Sequence, residues 1–531
     1  MVQRTLWEED EDVVAFKEAA KRLSVSVATI RNWVKSGILS TKNSNEITVA
    51  SINSFLLNIG GISKLNSRAN KLQKREYIND LNILDQNPLD LLSSYERTLS
   101  NAYKNKEGIY YTPETIVSDM MNGIHDIKNK TFLEPCCGSG NFIIEAIKRG
   151  IDPKNIYAFD TDKNAVLITK KRIFEQTGYQ SENVICGDFL VLSKNLKTKF
   201  DFIFTNPPWG KKISREEKIS LSSFFHTGKS TDTSSLFLAC SLSLLKDKGS
   251  LGFLLPDSFF NITTFEDIRK IILKLKIERI KNYGKIFQGI MSNACSIIVK
   301  NERSLNNTII CESGLDVHYR NKDSFQRNPK HIINFWANKH DSDIIEYIYS
   351  LPNIYLAKNV KWGLGIVTGD NNKLCSLEKK SNFVPIYRGK DIHAGYMSPP
   401  TMFIDKSLKG CQQIAPLEFY NAKEKLIYRF ISNKLVFCLD KKQSYILNSA
   451  NLLIIENSFP LTSEQVCDLL NSDFMNWLFK SIFNTHKILR SDIELLPIYK
   501  NFFEKNLIFS EEKYLSSIKL TKNNGTYDIK K

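Results

Sequence analysis

Nowhere does the 531-residue chain hold a run of about 18 consecutive apolar residues, the least that a bilayer-spanning helix needs. Its first residues, MVQRTLWEEDEDVV, offer neither a basic start nor the apolar stretch of a secretory signal, so a cytoplasmic protein without a membrane partner is expected. Ten cysteines stand singly apart from the adjacent Cys136 and Cys137, with no CxxC pair to hold zinc or a redox couple. The seven histidines form no HxxxH or HxH, and no metal is expected. Internal repeats are missing too. What is present in excess is positive charge: 73 Lys and Arg against 57 Asp and Glu, a net +16. Such an imbalance fits a polyanionic partner, nucleic acid or an anionic membrane surface, or else a lysine-rich composition with no partner behind it. Residues 351–450 carry 15 Lys and Arg against 7 Asp and Glu, half of the whole excess, which favours a localised patch. The hydrophobic content of 42% is that of an ordinary globular protein, and the length suits roughly two to four domains in one monomer.

Residues 12–39, DVVAFKEAAKRLSVSVATIRNWVKSGIL, show two short helical periods divided by SVS, with Ile30, Trp33 and Val34 on one face of the second. The stretch resembles the helix-turn-helix of excisionase and MerR-like domains. That resemblance starts a recognition helix at Ser26 to Thr29 and turns Arg31, Asn32 and Lys35 towards DNA. A plain helical hairpin fits the same residues. STKNSNEITVASINSFLLN follows as a small wing and a third helix, closing an N-terminal domain over residues 1–60, and 61–106 reads as a helical linker. From 107 to 305 the apolar runs KTFLEP, NIYAFD, NVICGD, FDFIFT, GSLGFLLP, IERIKNYG and ACSIIVK alternate with helical periods. That is the pattern of a doubly wound α/β sheet, whose ligands gather at the carboxyl ends of the strands. Beyond it, 306–531 mixes short strands and helices in an α+β manner, with a Gly-rich, basic and aromatic stretch over 362–391.

The strand ends are where chemistry is sought. In FLEPCCGSGNF, Gly138 and Gly140 let the backbone turn sharply and bring a ligand close to main-chain N–H groups at a helix start. Dinucleotide enzymes, kinases and methyltransferases all use glycine in this way. The second run ends in Asp160, a carboxylate able to accept both hydroxyls of a ribose, or to cap the next helix. The third ends in CGDFL: Asp188 can accept an exocyclic adenine amine, with the Phe189 ring beside it to lie on the purine. The fourth ends in TNPPWG.

Four consecutive strand ends that each supply part of an adenosyl site resemble the S-adenosylmethionine-dependent N6-adenine DNA methyltransferases of gamma motif order. EGIYYTPETIVSDMM at 107–121 looks like their motif X, FLEPCCGSGNF like motif I, GDFL like the third, and NPPW like the catalytic (D/N/S)PP(Y/F/W) tetrad. The looser matches GIVTGDNNK, VPIYRGKDI, KLIYRFISNKLVFCLD and LLNSDFMNWLFK resemble target-recognition domains of restriction-modification methylases. The resemblance implies a Rossmann-like catalytic domain, S-adenosyl-L-methionine as cofactor, double-stranded DNA as partner and a separate cognate restriction endonuclease. Residue by residue it puts Thr112 and Pro113 at the methionine end of the cofactor, with Glu134, Cys136 and the turn through Gly138 and Gly140 beneath. It puts Asp160 on the ribose, and Asp188 and Phe189 on the adenine. Asn206, Pro207, Pro208 and Trp209 form the catalytic tetrad, with Phe287 of KIFQGIMSNACSIIVK as a second stacking ring unless it is simply core.

The tetrad suits a poor nucleophile. If the Asn206 side-chain oxygen and the Pro207 carbonyl each accept one hydrogen of an adenine N6 amine, the nitrogen lone pair is aimed without prior deprotonation. Prolines fix φ and keep the preceding residue out of helical geometry, so these acceptors stay extended. An Asn-Pro-Pro turn that merely ends a strand is the plain alternative. Lys361, Arg388 and Lys390 are the expected DNA contacts of the C-terminal segment, and Lys211 and Lys212 serve either as phosphate contacts or as solvated charge. Methylation of RNA or of a protein glutamine uses similar tetrads, and a DNA-binding regulator with a silent methyltransferase fold is a further reading. The first 107 residues show no PD…(D/E)xK arrangement, so methylation without cleavage is expected.

Overall fold

The computed structural model describes residues 13–23, 27–35, 39–43, 46–59, 110–125, 127–211, 213–287, 289–304, 306–505 and 508–530. The linker expected over 61–106 lies outside them, as do Lys212, the first three residues of the motif X segment and the side chains of Asn32 and Lys35. Two compact units divide the chain, Met1–Tyr103 and Lys104–Lys531.

In the first unit, strand β1 (Val13–Ala15) leads into α1 (Phe16–Arg22) and α2 (Val27–Lys35), then the hairpin β2 (Thr41–Asn43) and β3 (Glu46–Thr48), and α3 (Val49–Ile59). The hairpin and third helix lie where the sequence places them. The first helix does not: Val13 and Val14 stand at the start of the expected helix but pair antiparallel with β3, Val14 opposite Ile47. Their β-branched side chains suit a strand, and Val14, Ala19, Leu23, Ile30, Ile47 and Ile52 close one small core. Arg31 is exposed on α2.

The second unit is built on a nine-stranded sheet. Its strands are β4 (Phe132–Glu134), β5 (Ile156–Asp160), β6 (Val184–Cys186), β7 (Phe200–Thr205), β8 (Leu245–Pro256), β9 (Leu275–Asn282), β10 (Ala294–Arg303), β11 (Thr308–Ser313) and β12 (Asp316–Asn321). The order across the sheet is β12-β11-β9-β10-β8-β7-β4-β5-β6. Strands β6, β5, β4, β7 and β8 run parallel, and β10 lies antiparallel between β8 and β9. The chain moves outward in one direction from β4 to β6 and in the other from β7, so the order reverses between β4 and β7, where a doubly wound sheet opens a crevice for ligands. Helices cover both faces, which explains the unbroken apolar runs of the central strands. Leu133, Ile203, Phe253 and Leu255 pack in one cluster and Phe132, Phe202, Phe204 and Leu254 in another, each such burial contributing about 1.5–3 kcal/mol.

A boundary at 305 falls inside this sheet. The hairpin β11–β12 pairs antiparallel and β11 joins β9 in parallel, so the sheet runs on to Asn321. The remaining residues form a further core around two four-stranded sheets and helices that include Ser463–Asn471 and Asp473–Phe483. None of the described helices is long and apolar enough to cross a membrane.

Candidate functional site

Beyond β4 the chain turns at Gly138 (φ +50°) and Gly140 (φ +83°) into helix α4 (Asn141–Lys148). A side chain at Gly140 would meet Thr169 at 2.9 Å, and one at Gly138 would meet the Tyr111 ring at 3.1 Å. The turn is therefore closed from two sides. Asp160, at the end of β5, accepts the Gly138 N–H and the Asp162 N–H, both at 2.8 Å. Capping of the following helix, α5 (Lys163–Thr177), falls instead to Asp162, which accepts the Asn164 N–H at 3.0 Å. Asp160 thus fixes the glycine turn from the neighbouring strand, at the height where the sequence expects a ribose.

Glu134 is 2% exposed and its Oε2 has no hydrogen-bond partner among the described residues. Burial pushes its carboxyl well above the usual range, the nearby charge of Asp160 adds to this, and Arg172 works against it. The Arg172 guanidinium donates to the Ser139 carbonyl and to Asn141 Oδ1, both at 2.7 Å, and pairs with Glu114. Asn141 Nδ2 in turn donates to the Thr112 carbonyl at 2.8 Å, with Thr112 buried and Pro113 capping the helix Glu114–Met120. Cys136 Sγ lies 3.0 Å from Thr205 Oγ1 and donates to the Asn206 carbonyl at 3.2 Å.

The tetrad follows β7 without a break. Asn206 Nδ2 donates to the Tyr110 carbonyl at 2.9 Å, an atom that can only accept, which settles the orientation of the amide. Asn206 Oδ1 is left buried with no partner among the described residues. Trp209 is anchored by its indole N–H on the Leu254 carbonyl of β8 at 3.2 Å. The Phe287 ring stands edge-on to it at 5.3 Å between centroids, and Tyr110 packs on Phe287 at 5.1 Å. An unsatisfied acceptor thus stands beside three aromatic rings.

One expected residue sits otherwise, and others have partners within the chain. Phe189 is 2% exposed and wedged between Phe159 and Phe237 at 5.4 and 5.6 Å, so its ring belongs to the core and offers no open face to a purine. Asp188 caps Phe189–Leu192, accepting the Leu190 N–H at 2.8 Å. Lys361 pairs with Glu418 at 3.2 Å, and Arg388 with Asp391 at 3.1 Å and the Thr401 hydroxyl at 2.7 Å. Lys390 is exposed beside them. Sequence reasoning missed Tyr110, Asn141, Arg172 and Thr205. Tyr110 lies in the EGIYYTP segment, two residues before Thr112, whereas Arg172 sits in a plain KKR helix with no local pattern to single it out.

The donor set fits S-adenosylmethionine. A glycine turn in the left-handed region and an orphaned buried carboxyl oxygen suit a ligand with a cationic methionine end.

Residues 89–360 match the family model described as N-6 DNA Methylase, and residues 384–498 that of the TaqI-like C-terminal specificity domain. Type II methyltransferase M.VspI of Vibrio sp. (strain 343) is 40% identical over 404 residues, covering 74% of this chain and 99% of that protein. Modification methylase CviBIII of Paramecium bursaria Chlorella virus NC1A is 29% identical over 39% of this chain and 54% of its own. Among solved structures, the type IIL restriction-modification enzyme MmeI in complex with DNA shares the fold at a TM-score of 0.51 and 13% identity, over 77% of this chain and 70% of that one. Taken with the turn, the carboxylates and the tetrad, these matches establish that the chain belongs to the N-6 DNA methylase family, as an S-adenosylmethionine-dependent DNA methyltransferase of restriction-modification type.

Proposed function

We propose that the enzyme methylates the N6 amine of an adenine flipped out of duplex DNA at a specific sequence, so protecting that sequence from a cognate nuclease. The observation that carries this reading is Asn206: its donor is fixed on Tyr110 and its acceptor is buried with no partner among the described residues. A buried acceptor left unmet costs about 1–3 kcal/mol, and an amine with two hydrogens, received by Asn206 Oδ1 and the Pro207 carbonyl, would relieve it. The bound cofactor supplies an electrophilic methyl group. The chain's own residues orient the amine, and the walls of Trp209, Phe287 and Tyr110 receive the base and keep water out. Stacking on such rings returns about 1–3 kcal/mol per base, against the few kcal/mol that unpairing costs.

Around this centre the same reading gives Thr112, Pro113, Glu134, Cys136, Gly138 and Gly140 the methionine end of the cofactor, Asp160 its ribose and Asp188 its adenine. Arg31, Asn32 and Lys35 of the N-terminal domain, and Lys361, Arg388 and Lys390 of the C-terminal one, meet DNA. The protein acts as a monomer in the cytoplasm. Incubation with labelled S-adenosylmethionine and duplex DNA, followed by nucleoside mass analysis, should yield N6-methyladenine. Sequencing modified bases in the genome of an expression host then gives the motif. Label confined to RNA, protein or cytosine would overturn the proposal.

A further inference from the structure

The C-terminal residues bring a bulky apolar side chain to the surface on a loop held by hydrogen bonds. Ile431 is 61% exposed and follows the strand Lys425–Arg429. It forms an antiparallel bridge with Lys487. The Ser432 N–H donates to the His486 carbonyl at 3.0 Å, the Ile488 N–H to the Phe430 carbonyl at 2.8 Å, and the Phe430 N–H to the Ser449 carbonyl at 3.1 Å. Lys434 and Lys487 of the loop pair are exposed, as is Lys390, and the Arg429 guanidinium holds the carbonyls of Ile392 and Lys390.

The helix that leads into the second of these loops reaches the catalytic domain. Asn261 Nδ2 donates to the Phe483 carbonyl at 2.6 Å. Asp257, directly after β8, has a carboxyl that burial raises; the main-chain N–H groups of Asn293 and Ser258 draw it back, and His486 lies near enough to add to this. Asp257 also clasps the main chain of Asn293, donating to its carbonyl at 3.0 Å and accepting its N–H at 3.3 Å. Asn293 closes the loop that carries Phe287, and β8 holds the Trp209 indole. Ile431 is thereby linked, through Lys487, His486 and Asp257, to the end of the strand that holds the Trp209 indole.

One exposed isoleucine is ordinary on a protein surface. Here the backbone is pinned by hydrogen bonds, exposed Lys434 and Lys487 belong to the same loop pair, and the second loop leads to the strand end that holds Trp209. A base that leaves the stack abandons its partner, and apolar wedges fill such gaps in DNA. We infer that Ile431 enters the duplex at the position vacated by the flipped adenine and packs on the orphaned partner base, with Lys390, Lys434 and Lys487 on the flanking phosphates. The inference rests on the adenine-flipping function proposed above.

The test uses the full chain and two duplexes carrying the sequence that wild-type protein methylates in host DNA, one intact and one with an abasic position opposite the target. Ile431→Ala is expected to lower kcat/KM on the intact duplex by about tenfold or more and to recover to within about threefold of wild type on the abasic one, where no partner base needs holding. Ile431→Leu should track wild type on both. With 2-aminopurine at the target, the fluorescence rise on binding should fall for Ile431→Ala on the intact duplex alone. Exposure of the side chain makes the truncation mild for folding. Equal losses on the two duplexes, or no loss, overturn this inference while adenine methylation by the wild type leaves the proposed function standing. Absence of adenine methylation by the wild type overturns both.

Discussion

Replacing Asn206 by Ala separates the stability of the site from its chemistry. The substitution removes one hydrogen bond, from Nδ2 to the Tyr110 carbonyl, worth about 0.5–1.5 kcal/mol net. It also removes a buried oxygen that no described residue satisfies, and loss of that unmet acceptor returns about 1–3 kcal/mol. The two terms oppose each other, so the variant should melt close to wild type. Catalysis has no such compensation. Deleting one preorganised polar group aimed at the reacting centre costs about 10²–10³ in kcat, while binding of cofactor and DNA rests mainly on other residues. Single-turnover methylation at saturating cofactor and DNA, with affinities measured separately, reads the two effects apart. Asn206→Gln keeps the amide but displaces it by a methylene, and a misplacement of about 1 Å costs about 10²-fold. An Asn206→Ala enzyme whose kcat stays within about tenfold of wild type would refute the role given to this side chain.

Gly140→Ala puts an L side chain at φ +83° and 2.9 Å from Thr169, with a conformational cost of about 1–2 kcal/mol; calorimetry should find cofactor binding at least about tenfold weaker. Lys425 and Asp440 form an ion pair at 2.7 Å with neither side chain exposed. Lys425→Met should therefore destabilise the C-terminal part by about 3–5 kcal/mol, seen as earlier proteolysis there, and adding Asp440→Leu should recover much of the loss. Burial by itself would raise the Asp201 carboxyl, but Lys246, the Thr131 N–H and hydroxyl, and Lys130 outweigh it and hold it well below the usual range. Its stabilisation is then complete above the unfolded value of about 3.9 and is lost as pH falls further, towards the folded value. Asp201→Asn should lower the melting temperature at neutral pH, and its gap to wild type should close progressively below about pH 4.

The central strands were legible because parallel strands covered on both faces leave continuous apolar runs, as FDFIFT does in β7. The edge hairpin β11–β12 was not. Ile309 and Cys311 are buried on one face while the other carries exposed Ile310, and Glu312 held by Arg279 and Lys281; an edge of such mixed composition reads like any irregular segment, so the sequence marks no strand there. Asn206 and the glycine turn stood out through local pattern, since their backbone requirements are written in neighbouring prolines and glycines. Phe189 followed the motif but not its expected use: whether a ring after a strand faces ligand or core depends on Phe159 and Phe237, which lie far from it in sequence. Arg172 was illegible for the same reason, because Ser139, Asn141 and Glu114 gather around it only in three dimensions.

Three consecutive residues serve two places at once. The Tyr110 carbonyl holds the Asn206 amide, the Tyr111 ring lies over Gly138, and the Thr112 carbonyl receives Asn141 at the mouth of the glycine turn. If the amide receives the base as proposed, a ligand that shifts this strip at the turn also re-aims the amide, and the seated base pulls on the turn. Linkage makes the exchange reciprocal: whatever factor the cofactor adds to the affinity for the base, the base adds to the affinity for the cofactor.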